Sequence, residues 1–250
     1  MANASLDLAF HDKLRKDSDY IKKFWVGLMD GVGSIQVNHW RKTNLQYRLV
    51  IKLKYDENNV SMFNKIKESI GGKVVISKAK EYKYIVWVVD DRKKILNIID
   101  VFNKYPPITF RLNAQLLFMK NCLVNNNIDM YFEKRKDKYI SENIWNPKLN
   151  CDYFNEWLSG FIEAEGCFCI RQNKNHSFSI SQKNENVLVE YIKKYFEIQT
   201  KVRNVGKDVW LLETYRKSTL LNVIKHCDNY PLLGQKMVSF DKFIKEIFKL

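Results

Sequence analysis

Residues 24–34 read FWVGLMDGVGS and residues 157–167 read WLSGFIEAEGC. Gly27 answers Gly160, Asp30 answers Glu163 and Gly33 answers Gly166, all at an offset of 133. The likeness continues along the chain. YDENNVSMFNKI from Tyr55 matches QKNENVLVEYI from Gln182 at an offset of 127, and VWVVDDRKK from Val86 matches VWLLETYRK from Val209 at about 123. NIIDVFNKYPPITFR from Asn97 matches NVIKHCDNYPLLGQK from Asn222 at 125. Four blocks in one order with small drifts describe a tandem duplication with altered loops. A chain of 250 residues divides into halves each able to bury a core.

Each copy begins with a helix. Asp17 and Ser18 can cap one over 19–30, Asp152 can cap another over 153–163, and Gly33 and Gly166 end them. Ser34-Ile35-Gln36-Val37-Asn38 and Cys167-Phe168-Cys169-Ile170-Arg171 then alternate polar and apolar, the period of a half-buried strand. Over 48–54, Leu49, Ile51 and Leu53 alternate with Arg48, Val50, Lys52 and Lys54, so three basic side chains share one outward face. A helix over 59–70, strands over 73–77 and 84–89, a helix over 92–102 and a last helix after Thr109 complete the copy. The expected class is α+β, two pseudo-symmetric αββαββα halves over 1–125 and 151–250. Residues 126–150, rich in Asn, Lys and Asp and holding Pro147, read as a linker, with an extra helix over 133–138 as the alternative. Trp87 and Trp210, matched by the repeat, are assigned to the core.

With 46% hydrophobic residues the chain carries too much apolar material for disorder. A net charge of +14 points to a polyanionic partner, nucleic acid first. No apolar run is long enough to span a bilayer. The N-terminal stretch has neither the apolar core of a signal peptide nor the composition of a transit peptide, so an imported or secreted route is not expected. Cys122, Cys151, Cys167, Cys169 and Cys227 are odd in number and read as free thiols. No phosphate-binding glycine loop, dinucleotide fingerprint or paired-histidine zinc motif is present.

WVGLMDGVG over 25–33 and LSGFIEAEG over 158–166 resemble the paired motifs of the LAGLIDADG homing endonucleases in their single-chain, two-motif form. The resemblance implies motif helices packed side by side. Gly27 and Gly31 lie one turn apart, as do Gly160 and Ala164, which suits a close backbone approach. It further implies Mg²⁺ or another divalent cation, held by the acid at the eighth motif position beside the scissile phosphates; carboxylate oxygen is the right donor for such a hard ion. In the second copy that acid is Glu165, and metal contacts are expected at Glu165, Gly31 and Ala164. In the first copy the position is Val32, which cannot ligate a metal. Three readings stay open: a protein that has lost cleavage, an enzyme that nicks one strand, or a variant made inactive. Asp30 and Glu163, at the sixth position, take a structural role at the helix ends, because residues two apart on a helix point about 200° apart. Lys236 and Arg111 fall where the family carries a basic residue near the reacting phosphate. Lys52 and Ser179, matched by the repeat, and Gln182 are further polar candidates near that centre.

The resemblance also implies a saddle of two antiparallel sheets lying in the major groove of a long specific duplex. Alternation nominates Ser34, Gln36, Asn38, Trp40, Arg48, Val50, Lys52 and Lys54 as readers from the first copy. From the second it nominates Cys167, Cys169, Arg171, Asn173, Ser177, Ser179, Ser181 and Lys183, with Gln182 beside them. The expected function is site-specific cleavage of double-stranded DNA. The alternatives are DNA binding without cleavage and assistance to the splicing of a group I intron RNA. Two motifs in one chain suit a monomer, and the Lys, Asn and Ile bias suits an AT-rich mitochondrial genome.

Overall fold

A computed structural model describes residues 11–79, 81–136, 138–139, 146–172 and 175–248. The first half runs α1 (Ser18–Val32), β1 (Ser34–Trp40), β2 (Asn44–Lys54), α2 (Glu57–Ile70), β3 (Lys73–Ala79), β4 (Tyr82–Val89), α3 (Arg92–Lys104) and α4 (Phe110–Asn125). A short helix, α5 (Ile128–Lys134), follows it. The second half runs α6 (Phe154–Glu165), β5 (Cys167–Cys169), β6 (Ser177–Lys183), α7 (Asn186–Tyr195), β7 (Arg203–Asn204), β8 (Val209–Thr214), α8 (Lys217–Asn229) and α9 (Gln235–Phe248). The expected αββαββα order is present twice, each time followed by one further helix. Each half carries a four-stranded antiparallel sheet, ordered β1-β2-β4-β3 and β5-β6-β8-β7.

The expected linker thus carries a helix, α5, capped by Asn127 through hydrogen bonds from the amides of Asp129 and Met130. It precedes the span considered from the sequence because Tyr131, buried against Phe118 and His39, ties it to the first half. Asp17 caps α1 by accepting from the amides of Asp19 at 2.8 Å and Tyr20 at 3.3 Å, while Ser18 is already helical. Asp152 does not cap α6. The N-cap is Tyr153, without a side-chain bond, and its hydroxyl donates to the Pro106 carbonyl at 2.7 Å. Burying that ring against the first half draws the chain into the helix one residue later than composition suggests.

The two motif helices cross at their glycines. A Cβ at Gly27 would stand 1.8 Å from the carbonyl oxygen of Trp157, and one at Gly160 1.8 Å from that of Phe24. Only hydrogen fits there, so backbone rests on backbone and Phe24, Leu28, Trp157 and Phe161 are wholly buried around the crossing.

The strand ladders correct the pairing read from the repeat. Ser34 and Cys167 each follow a motif glycine, and they face Val50 and Ser179 respectively. Ile51 then faces Trp87 while Ile180 faces Leu212. Lys52 therefore corresponds to Ser181 rather than Ser179, and Trp87 to Leu212 rather than Trp210. A slip of two residues leaves every side chain on its own face, so hydrophobic alternation alone could not register it. Trp87 is fully buried, and its indole donates to the Gly71 carbonyl at 2.9 Å. Trp210 is half-buried and packs at the margin of the core.

Candidate nucleic-acid interface and cleavage centre

The candidate side chains collect where α1 and α6 end side by side. Asp30 and Glu163 are wholly engaged in structure. Asp30 accepts from the amides of Ile108 at 2.8 Å and Thr109 at 3.1 Å, from the Thr109 hydroxyl at 2.5 Å, and from the Trp157 indole of the other half at 2.7 Å. Glu163 accepts from the amides of Leu233, Gly234 and Lys236 at 3.2, 3.1 and 2.9 Å. Each motif helix thus holds the start of the last helix of its own half, satisfying amides that a helix N-terminus leaves open. Burial pushes the Asp30 carboxyl up to about 6 and the Glu163 carboxyl up as well.

Glu165 is the carboxylate left over. Its Oε1 would stand 3.5 Å from a Cβ at Gly31, so it lies against the bare backbone of the partner helix; that same Cβ would meet the Ala164 side chain at 2.3 Å. Burial pushes its carboxyl up, while Arg111 and Lys236 nearby pull it back toward ionisation. Val32, its counterpart, is half-buried and packs against the core.

Arg111 is a clamp. Its guanidinium donates to the carbonyls of Gly33 and Asp30 at 2.6 Å, Gly31 at 3.2 Å and Met29 at 3.3 Å, closing the carbonyl end of α1. Lys236, half-buried in the first turn of α9, is held at its backbone amide by Glu163. Gln182 lies on the face of β6 opposite to Ser181 and Lys183, and its amide nitrogen reaches the Asp30 carbonyl of the other half at 3.5 Å. That orientation removes it from the reading face expected of it and puts it at the centre.

Among the described residues no group of three or more His, Cys, Asp or Glu could hold a metal. A divalent cation fits on the Glu165 side, with one hard carboxylate and the remaining positions left to water and phosphate oxygens. It does not fit at Val32, and the Gly31 carbonyl also accepts from Arg111, at 3.2 Å. The arrangement offers half of a symmetric pair.

On the first sheet the outward residues are placed as the alternation requires. Asn38, Trp40, Arg48, Lys52 and Lys54 are exposed, and Ser34, Gln36 and Val50 half-buried. Trp40, 55% exposed, stands free at the sheet's end beneath the Arg41 guanidinium, 5.3 Å away. On the second sheet Cys167 and Lys183 are exposed, and Cys169, Arg171, Ser179 and Ser181 half-buried. Arg171 falls beyond the three-residue strand β5. Ser177, expected as a reader, is buried, with its hydroxyl donating to Glu213 at 3.3 Å under the Arg171 side chain. Asn173 lies outside the described residues. Sequence reasoning missed Glu213 and Arg203. Glu213 bridges Arg171 and Arg203 at 3.3 Å each, and its signal was an acid on the outward parity of a strand.

A two-sheet α+β molecule with paired glycine-crossed helices and one carboxylate at their ends is the architecture of a duplicated, helix-paired nuclease. The chain belongs to the LAGLIDADG endonuclease family, whose model matches residues 25–122 and 158–247. It is 47% identical over 237 residues to a probable intron-encoded endonuclease aI3 of Dictyostelium citrinum, covering 93% of this chain and 97% of that one. It is 28% identical over 241 residues to the "uncharacterized mitochondrial protein RF1" of Saccharomyces cerevisiae, covering 92% of this chain and 45% of that one. Among solved structures it is similar to the LAGLIDADG meganuclease I-CpaMI bound to uncleaved DNA, with TM-score 0.71, 18% identity and 90% of each chain covered. It is also similar to I-SmaMI bound to an uncleaved DNA target in the presence of calcium ions, with TM-score 0.69, 16% identity, 90% of this chain and 89% of that one.

Proposed function

We propose that the chain is a site-specific, divalent-metal-dependent DNA endonuclease of the intron-homing type that, with Val32 in place of an acid, cuts one strand of its duplex. The observation that carries this reading is the asymmetry at the helix ends, a half-buried carboxylate at Glu165 against a half-buried valine, packed on the core, at Val32. A bound divalent cation, Mg²⁺ in the cell, supplies Lewis acidity and an activated water. Glu165 supplies the hard oxygen that would hold it. Lys236 places a positive charge where the phosphate gathers negative charge, and Gln182 offers an amide that can orient water. Arg111, spent on the α1 carbonyls, shapes the centre and lends its charge to Glu165. Outward strand residues from both sheets bind the duplex.

The chain then divides into halves over 1–125 and 151–250 joined by 126–150. It works as a monomer, because both motif helices come from one chain, and it belongs in a mitochondrion, in line with the relative named mitochondrial and with the Lys- and Asn-rich composition.

The test is strand-resolved cleavage of a duplex selected from a randomised pool, each strand carrying its own label, in Mg²⁺. The expected result is a nick in one strand by this protein, cleavage of both by Val32→Asp, and none by Glu165→Gln. Cleavage of both strands by the unaltered protein overturns the assignment of position 32. Val32 also favours a second reading, a saddle that binds nucleic acid without cutting, whether target DNA or a folded intron RNA. That reading takes over if Val32→Asp leaves bound duplex intact.

A further inference from the structure

The two sheets present opposite chemistry at corresponding places on their outward faces. On the first, Val50 faces Val88, and Val75 faces Val86, which lies two residues before Val88 on the same strand. Four valines therefore form one unbroken path across β2, β4 and β3. Val86 and Val88, 8% and 7% exposed, are its floor; Val75, 48% exposed, and the half-buried Val50 rise at its ends. Lys52 and Lys73 stand directly across from Val86 and Val88 and border the path, the Lys52 ammonium over the Tyr84 ring at 4.0 Å and the Lys73 ammonium paired with Asp90 at 3.3 Å on the exposed rim. On the second sheet the ladders put Ser179, Glu213, Leu211 and Arg203 in those same four places. There Glu213 fixes the guanidinium groups of Arg203 and Arg171 on either side of itself.

A path of methyl groups bordered by lysines matches a ligand that offers phosphates together with methyl groups. On the major-groove edge of DNA only thymine carries a methyl, whereas guanine presents two acceptors that suit an arginine fork. We propose that Val50 and Val75 read the 5-methyl groups of thymines in the half-site under the first sheet, and that Arg203 and Arg171, held by Glu213, read guanine under the second. The target is then asymmetric although the fold is nearly symmetric. This inference rests on the DNA-binding part of the function proposed above.

The experiment starts from a preferred duplex selected out of a randomised pool. Each thymine is replaced in turn by deoxyuridine, and binding is measured with Ca²⁺ as the only divalent ion. Loss of a buried methyl weakens binding about fourfold, and the loss is expected at thymines of one half-site only. In Val75→Ala the penalty at one of those positions disappears. Val50→Ser, which installs the residue the second sheet uses at that place, removes another and keeps the test independent of any one variant's folding. Replacement of guanine by 7-deazaguanine is expected to weaken binding in the opposite half-site alone. A tightly bound duplex indifferent to deoxyuridine overturns this proposal while leaving DNA binding intact. Penalties that persist unchanged in both valine variants overturn it too. A pool that yields no bound duplex overturns it together with the DNA-binding reading.

Discussion

On the function proposed above, two residues at matching places, Val32 and Glu165, set what the molecule can do with a phosphate, and the surrounding side chains explain why neither neighbour compensates. Asp30 has four donors on its carboxylate and no lone pair aimed at the centre to spare. A different buried residue weakens the fold in acid. His226 is buried between the Ser159 hydroxyl at 3.1 Å and the Tyr195 hydroxyl at 2.9 Å, and burial lowers its pKa to about 3. The folded state therefore refuses a proton that the unfolded chain accepts near pH 6.5. The stability His226 contributes is complete above pH 6.5 and is lost as pH falls toward 3, at about 1.4 kcal/mol per pH unit. Asp30, its carboxyl pushed up to about 6 by burial, takes up a proton in the folded state first and works in the opposite sense between about pH 6 and 4. The His226 share is therefore the difference in urea-unfolding free energy between the protein and His226→Gln at pH 7.5, 6 and 5, expected to shrink as pH falls; a difference independent of pH would place the acid sensitivity elsewhere.

Among the elements, the pair α1 and α6 bears the most. Because a Cβ at Gly27 or Gly160 would sit 1.8 Å from a carbonyl of the facing helix, an added methyl must push the helices apart. Gly27→Ala is expected to destabilise by at least about 3 kcal/mol, the upper range for overpacking. Gly71→Ala should be milder, since its added methyl meets nothing within 4 Å and only its left-handed φ of 96° resists. Thermal unfolding of the two variants checks the order. The last helices interlock the halves from the other direction. Asn59 of α2 accepts from the Gln235 amide at 3.0 Å, and Glu185, at the head of α7, accepts from the Phe110 amide at 2.6 Å. Each half thereby caps the helix that brings the other half's Lys236 or Arg111 to the centre.

At the scale of the whole molecule, a charge of +14 is gathered in part on the outward sheet faces, where Arg48, Lys52, Lys54 and Lys183 are all exposed. If these four contact phosphates, the logarithm of the binding constant falls with the logarithm of salt at a slope of about −3.6 from them alone. Lys52→Ala with Lys54→Ala should reduce the measured slope by about 2. A slope unaffected by the double substitution would move the phosphate contacts away from Lys52 and Lys54.

The duplication, the αββαββα order, the outward alternation of β1 and β2 and the missing acid at Val32 were legible in the sequence, because each depends on local spacing or on residue identity at a repeated place. What tertiary structure decided are the features in which one half meets the other or one strand chooses its neighbour. The two-residue register shift of β6 and β8 keeps every face and so leaves no trace in the pattern. Arg111 was a charge in the sequence and became a clamp because the chain delivers it to the open carbonyls of α1. Ser177 was outward by parity and is buried because Arg171 and Glu213 close over it. Gln182 reached the centre because the other half's helix ends there. Periodicity records which side of an element is dry, whereas partners brought together from distant stretches of chain determine what each polar side chain on the other side is free to do.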